Sequence, residues 1–208
     1  MCGRCVIFTV DEVLGAIKDI EAQVPLKIEP DWPARRVQAY PNSVAPLIVP
    51  RFDTALGLSG LGVGSLGVQE MAWGFDESWT SGVVFNTRIE SAAKPTWRES
   101  MAHRRCVLPV SSFFETNKNE TYTSPKTGRL IKRQYEFRVP GQDVILIGCT
   151  WKDNRFSMVT TEANEDMAPI HHRMPLIVRQ EELPLWLGPH YRELADRSSI
   201  KLDVASVQ

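Results

Sequence analysis

Short runs of β-branched and aromatic residues, separated by turn-forming segments, constrain the fold of this 208-residue chain more than any other feature. The clearest runs are residues 5–9, 47–49, 68–75, 83–87, 106–110, 129–139, 144–150, 156–160 and 176–178. Such runs, bounded by Gly, Pro, Asn or Asp, are typical of β-strands. Helical patterns are confined to a segment over 12–22 that Asp11 would cap, a segment over 92–101 interrupted near Pro95, and a short one over 181–187.

From this distribution we predict a single α+β domain over residues 1–208. Curved mixed or antiparallel sheets would form an open barrel-like core with a few short helices. The runs 129–139 and 144–150 would form a hairpin through Pro140-Gly141. Segments 25–46 and 57–67 are Pro-rich and Gly-rich, and we expect irregular connections there, because 57–67 lacks the Lys and strand-to-helix context of a phosphate loop.

Composition narrows the class of partner. Hydrophobic residues make up 43% and the net charge is −1, so the whole molecule is not a basic nucleic-acid binder. Basic groups at 35–36, 98–105, 126–133 and 171–173 leave open either a local basic groove or a mixed solvated surface. No run approaches the roughly 20 apolar residues of a membrane span, and charges at Arg4, Asp11 and Glu12 are unlike a signal peptide. We therefore expect a cytoplasmic protein.

The four cysteines do not form a metal-site pattern. Cys2 and Cys5 are a C-x-x-C pair, but no second pair or partner His has the spacing of a zinc site. Cys106 and Cys149 lie in apolar runs and are interpreted as small buried hydrophobes. We predict no metal and no cofactor.

Cys2 has a chemical property that internal cysteines lack. Removal of Met1 would leave an α-amine and a thiol on adjacent carbons, with ordinary pKa values of about 8 and about 8.5. Such a pair condenses with an aldehyde, first to an imine and then to a five-membered thiazolidine. The alternative is that Cys2 is only a small residue near a frayed terminus.

Polar side chains at the ends of apolar runs are the other candidates for chemistry. In an extended segment Asn86, Arg88 and Glu90 share one face, where they could orient a substrate and hold a phosphate, or form a solvent-facing edge. Glu115 follows two Phe residues and could be a general acid or base, or the start of an exposed loop over 115–120. His171 precedes an apolar strand and could shuttle protons, or lie in a basic surface loop.

Tryptophans 73 and 79 flank a turn. An indole beside a loop can stack on a nucleic-acid base. Core packing is the alternative, which we favour for Trp73 more than for Trp79.

In this order the motifs resemble the SRAP family, the abasic-site processing proteins that shield damaged single-stranded DNA. The matching stretches are Met-Cys-Gly-Arg (1–4), Val-Ala-Pro (44–46), Trp-Gly-Phe (73–75), Asn-Thr-Arg-Ile-Glu (86–90), Arg-Cys-Val-Leu-Pro (105–109), Phe-Phe-Glu (113–115), Thr-Thr-Glu-Ala-Asn (160–164) and His-His-Arg-Met-Pro (171–175). The resemblance extends over residues 1 to about 187. It implies a single α+β domain with a basic channel.

The resemblance also implies roles for individual residues. Cys2, after self-processing removal of Met1, would form a thiazolidine crosslink with the ring-opened aldehyde of an abasic site, with Asn86, Glu115 and His171 as the other catalytic residues. AP-lyase chemistry and crosslink reversal would accompany it. The implied DNA-binding residues are Arg4, Asn42, Pro46, Trp79, Arg88 and Arg173. The implied partner is abasic single-stranded DNA, including DNA at replication forks in the nucleoid, bound by a monomer.

Two rival functions remain open from the sequence. Glutamine amidotransferase-like N-terminal-nucleophile hydrolases also begin Met-Cys-Gly, but this chain has no His-Asn-Gly, Arg-Gly or Gly-Asp motif to bind glutamine. A non-covalent single-strand binder would keep the tryptophans and arginines without needing a processed Cys2.

Overall fold

A computed structural model describes residues 2–26, 37–51 and 66–207. Within these residues the chain forms twelve strands in one sheet and three α-helices, which confirms the α+β prediction. The strands are β1 (Arg4–Ile7), β2 (Val37–Ala39), β3 (Val44–Pro50), β4 (Leu66–Trp73), β5 (Asn86–Arg88), β6 (Arg105–Thr123), β7 (Leu130–Arg138), β8 (Ile145–Lys152), β9 (Arg155–Glu162), β10 (Arg173–Pro175), β11 (Ile177–Val178) and β12 (Asp203–Val207). The helices are α1 (Val10–Glu21), α2 (Pro95–His103) and α3 (Leu183–Leu187).

The central strands form a ring. Neighbouring strands pair in the order β8-β9-β4-β3-β6, and β6 pairs again with β8 to complete the circuit. Most pairings are antiparallel, but β4 and β5 both run parallel to β9, so the sheet is mixed. Outside the ring, β1 continues from β6 to β2, and β7 continues from β6 to β12.

The ring separates two apolar clusters, because successive side chains of a strand point to opposite faces. On β6, Cys106 and Leu108 enter the inner cluster, which the ring encloses, whereas Val107 enters the outer cluster. The helices cover the outer cluster with, among others, Val13, Ile17, Trp97, Met101, Leu183 and Trp186. The strands have nearly continuous apolar sequences because both of their faces are buried.

Two helix boundaries differ from the sequence prediction. The N-cap of α1 is Thr9 rather than Asp11, and the Thr9 backbone N–H donates to the Glu12 carboxylate. The second helix begins at Pro95 instead of being interrupted there, because the first turn of a helix does not need the N–H that proline lacks.

The predicted hairpin between residues 129–139 and 144–150 is wrong. Both β7 and β8 pair with β6, β8 along its first half and β7 along its second half. A 19-residue strand offers two successive partner sites on one edge, so the turn at 140–141 carries the chain from one site to the next. The 115–120 segment is correspondingly part of a strand, which contradicts the alternative of an exposed loop starting at Glu115.

The two segments expected to be irregular, 25–46 and 57–67, lie partly outside the described residues, which exclude 27–36 of the first and 57–65 of the second. Their described parts include β2 and the first residues of β3 and β4, which the sequence did not predict as strands. In the part of the chain that the structure describes, no helix is long and apolar enough to cross a membrane.

Candidate active site

Strand pairing brings Cys2 beside Glu115. β1 lies antiparallel to β6 with Arg4 opposite Phe114, so the two residues before β1 run alongside Glu115 and Thr116. Cys2 is only 2% exposed, and its thiol points to the Arg4 carbonyl at 3.5 Å. The reading of Cys2 as part of a frayed end therefore does not hold, since its side chain is packed in the inner cluster.

Asn86 reaches the same point from another strand. β5 runs parallel to β9 with Asn86 opposite Met158, which turns the buried amide toward the start of the chain. Asn86 Nδ2 donates a 2.9 Å hydrogen bond to the Cys2 carbonyl. Asn86 Oδ1 is buried and accepts no hydrogen bond from any described residue.

Glu115 and His171 complete the cluster. The Glu115 carboxylate accepts the backbone N–H of Thr116 at 3.0 Å, and it acts electrostatically on both Cys2 and His171. Burial lowers the pKa of His171 and the Glu115 charge partly opposes this, so the imidazole is neutral near pH 7.

The His171 ring has a hydrogen-bond partner in either protonation state. Its Nδ1 lies 3.0 Å from the Arg173 backbone N–H and 3.1 Å from the Arg173 carbonyl. Nδ1 accepts from the N–H when it is unprotonated, and it donates to the carbonyl when it carries a proton. Such a group can gain and lose a proton without moving.

The thiol of Cys2 is held in its protonated form. Burial, followed by the nearby charge of Glu115, raises its pKa to about 12, although the backbone N–H groups of Arg4 and Phe114 act in the opposite direction. Burial therefore favours the protonated thiol over the thiolate, which is the reactive form of a cysteine.

The three arginines predicted to hold phosphates differ in their surroundings. Arg173 is 7% exposed, and its guanidinium forms a two-pronged ion pair with Glu90 at 2.9 and 2.8 Å and donates to the Thr160 carbonyl at 2.8 Å. Arg4 stacks on the Phe114 ring, with 3.9 Å from Cζ to the ring centroid. Arg88 is exposed at the end of β5. Arg88 is therefore the most accessible of the three, and Arg173 is engaged in linking strands.

The other predicted DNA contacts also differ in accessibility. Trp79 is 63% exposed, whereas Trp73 is fully buried and stacks on Phe156 at 6.0 Å. Pro46 is buried within β3, so it offers no open surface for a base. Asn42 is exposed, in a left-handed conformation with φ of 75°, and its Oδ1 accepts a 2.7 Å hydrogen bond from Arg155.

Arg155 and Arg105 are residues whose positions the sequence did not reveal. Arg155 joins Asn42 to the Gly74 carbonyl at the turn before Trp79. Arg105 belongs to a basic group in the sequence, yet it is buried and donates to backbone carbonyls that include Trp186 at 2.7 Å and Gly188 at 2.7 Å. No local pattern distinguishes such a structural arginine from a surface one.

Residues 2–26, 37–51 and 66–207 contain no group of three or more His, Cys, Asp or Glu side chains that could hold a metal ion. The site's chemical groups are therefore a thiol, an amide, a carboxylate and an imidazole, brought together from four separate parts of the chain.

A family model described as SOS response associated peptidase (SRAP) matches residues 1–205. The chain belongs to the SRAP family. Among its relatives, "Abasic site processing protein YoaM" of Bacillus subtilis is 28% identical over 134 residues, which are 58% of this chain and 56% of YoaM. "Abasic site processing protein YedK" of Escherichia coli is 25% identical over 202 residues, covering 90% of this chain and 79% of YedK. The match to YoaM thus spans little more than half of that protein.

Solved structures share the SRAP chain's fold. A crystal structure of a protein from Bacteroides thetaiotaomicron has a TM-score of 0.64 at 20% identity, covering 100% of this chain and 92% of that one. A protein from Bordetella bronchiseptica has a TM-score of 0.66 at 16% identity, with full coverage of both chains.

Proposed function

We propose that this SRAP chain processes abasic sites in single-stranded DNA by forming a thiazolidine crosslink through Cys2 once Met1 has been removed. The observation that carries the proposal is the convergence of Asn86, Glu115 and His171 on a buried Cys2. The names of the relatives YoaM and YedK support the choice of substrate.

Asn86 is proposed to position the nucleophile. Its 2.9 Å hydrogen bond to the Cys2 carbonyl fixes residue 2 through the backbone. The α-amine and the thiol of that residue are then held together for an incoming aldehyde. Correct orientation of reacting groups is a large part of many catalytic effects.

The α-amine is proposed to react first. With an ordinary pKa of about 8 it is partly unprotonated at neutral pH, whereas burial raises the pKa of the Cys2 thiol and favours its protonated form. The amine adds to the aldehyde carbon, water leaves, and an imine results. The sulfur then adds to the imine carbon while its proton passes to the imine nitrogen, which closes the ring.

Glu115 and His171 are proposed to move the protons of these steps. The carboxylate can accept the thiol proton during ring closure and return it during crosslink reversal. The neutral imidazole can accept a proton and keep its Nδ1 hydrogen-bonded to the Arg173 backbone. Lyase cleavage would proceed from the imine by loss of a proton from the neighbouring sugar carbon and departure of the phosphate from the next carbon, which breaks the strand. We include it and self-removal of Met1 in the proposal.

The DNA contacts of the proposal follow accessibility. Arg4 and Arg88 would hold phosphates and Trp79 would stack on a base, because Arg88 and Trp79 are exposed and Arg4 adjoins the nucleophile. Asn42 would contact the strand together with Arg155. We leave Arg173 and Pro46 out of the direct contacts because both are buried. The substrate would include abasic DNA at replication forks, and the protein would act as a monomer.

Denaturing electrophoresis tests the proposal. Protein whose intact mass shows loss of Met1 should form a denaturation-resistant adduct with an abasic single-stranded oligonucleotide. Cys2→Ala should abolish the adduct, whereas Cys106→Ala, in the inner cluster but outside the proposed site, should retain it. An adduct that persists in Cys2→Ala sinks the mechanism, and tight binding with no adduct would instead indicate a non-covalent single-strand binder.

A further inference from the structure

The hairpin formed by β6 and β7 extends the site outward from Glu115. Glu115 is paired with Tyr135, Asn117 with Arg133, and, beyond an irregularity in the register, Tyr122 with Ile131. Directly paired residues share a face of the sheet, and residues two apart on a strand share that face as well. Tyr135, Arg133 and Tyr122 therefore follow Glu115 along one face of the hairpin.

These side chains form a continuous strip of rings and a guanidinium. The Arg133 guanidinium lies 5.2 Å from the centre of the Tyr122 ring. The Tyr135 hydroxyl donates to Glu120 at 2.5 Å, and Arg133 lies 3.5 Å from the same carboxylate. Flat rings and guanidinium groups of this kind provide stacking surfaces for nucleic-acid bases of any sequence.

The charge of the hairpin is opposite in sign to that of the chain as a whole. Residues 116–135 carry five basic side chains and one carboxylate, Glu120, in a protein of net charge −1. Glu120 is already occupied by contacts with Tyr135 and Asn117. Two exposed basic side chains, Lys126 and Arg129, lie in the turn beyond the strip, while Lys118 and Lys132 are exposed on the other face of the hairpin. A polyanion leaving the site along this hairpin would meet an excess of positive charge.

We propose that the β6–β7 hairpin is a second DNA contact, which holds the strand flanking the abasic site. Tyr122 and Arg133 stack with its bases, and Lys126 and Arg129 bind its phosphates. The five-residue step from Tyr135 to Leu130 extends the contact by about 17 Å at roughly 3.3 Å per residue. The inference rests on the proposed function, because that function supplies the single strand which leaves the site beside Glu115.

The turn allows the charges to be removed without breaking the hairpin. Its hydrogen bonds are made by backbone atoms of Ser124, Gly128 and Arg129 and by the Thr127 hydroxyl, and they involve neither basic side chain of the turn. The double variant Lys126→Gln/Arg129→Gln should therefore fold normally, which circular dichroism would check. Lys18→Gln/Arg192→Gln, on α1 and near α3, removes the same charge from other exposed positions.

Binding of undamaged single-stranded DNA, followed by fluorescence anisotropy across a salt series, tests the contact. The logarithm of the binding constant falls with the logarithm of the salt concentration by about 0.7 for each phosphate neutralised. The hairpin variant should have a slope smaller by about 1.4, and the control variant should keep the native slope. Tyr122→Leu should weaken binding about fivefold or more, and Tyr122→Phe should restore it, because the ring is what stacks.

Polyglutamate serves as a polyanion without bases. Tyr122→Leu should leave the binding of polyglutamate unchanged. An equal loss of affinity for polyglutamate and for DNA would mean a general anion surface and overturn the proposal.

Crosslinking to abasic oligonucleotides of increasing flank length separates the two proposals. If the native protein crosslinks, and the hairpin variants have the same salt slope and the same crosslinking rate as the native protein, then the hairpin contact alone is overturned. A native protein that forms no adduct with any oligonucleotide overturns the crosslinking function, and the salt slopes still decide the hairpin.

Discussion

At the scale of single residues, burial is the main influence on Cys2. The thiol is buried and its pKa is raised to about 12, which in the proposed mechanism assigns the first attack to the α-amine and ring closure to the sulfur. Asn86 contacts the Cys2 backbone and leaves the side chain alone. Positioning through the carbonyl keeps both nucleophilic groups of the residue available.

Asn86→Ala should slow adduct formation by roughly tenfold to a hundredfold, because the buried Cys2 carbonyl loses its donor at a cost of about 1–3 kcal/mol. The rate is measured by quenching the reaction with abasic oligonucleotide at successive times. Thr87→Val is the matched control on the same strand, since it removes a 2.9 Å hydrogen bond to Ser157 that does not reach Cys2. If both variants slow the adduct equally, Asn86 has no positioning role.

At the scale of elements, one arginine joins strands while a similar one, Arg88, is exposed. Arg173 of β10 connects to Glu90, just after β5, and to the Thr160 carbonyl of β9. These bonds hold the segment bearing His171 against the strand bearing Asn86. Burial opposes ionisation of Glu90, but the hydrogen bonds and charge of Arg173 leave the pKa of that carboxyl below its ordinary value.

Arg173→Gln should lower the free energy of unfolding by about 2 kcal/mol, a value reduced because the Glu90 side chain is half exposed. Urea unfolding measures this change in the free energy of unfolding.

Arg88→Gln should leave the free energy of unfolding unchanged. It should weaken binding of single-stranded DNA and reduce the salt slope of that binding by about 0.7. Equal stability losses in the two variants would contradict the division of roles between them.

At the scale of the whole molecule, the ring of strands depends on a close approach over β8. A Cβ at Gly148 would lie 2.9 Å from both Leu176 Cδ2 and Trp186 Cζ2, so glycine lets the outer cluster pack directly on the strand. Trp186 is anchored there by a 2.9 Å hydrogen bond from its Nε1 to the Cys106 carbonyl of β6. The same indole thus covers both strands at the position where the ring closes.

Gly148→Val should destabilise the protein by about 1–3 kcal/mol through overpacking against Trp186. Gly15→Ala is the control in α1, where a Cβ meets nothing within 4 Å, and it should raise stability by about 0.5–1 kcal/mol because helix interiors disfavour glycine. Denaturant unfolding of the two variants measures both changes. A Gly148→Val protein as stable as the native one would show that the outer cluster tolerates expansion.

Local signals determined the strand-forming runs, the α+β class and the helix after β1, and they singled out Cys2 as a candidate nucleophile. They are readable because they depend on residue type and spacing over a few positions. Sequence motifs also selected Asn86, Glu115 and His171 individually, but their distance along the chain from Cys2 says nothing about their separation in space.

Only the tertiary structure decided which strands pair and which polar residues are accessible. The runs at 129–139 and 144–150 have the sequence pattern of a hairpin, yet each of them pairs with the 19-residue β6 instead. Arg88 and Arg173 carry the same guanidinium, and only the buried position beside Glu90 makes one of them a structural bridge. The physical reason is the same in each case: pairing and burial are set by contacts between distant parts of the chain, which local residue preferences do not encode.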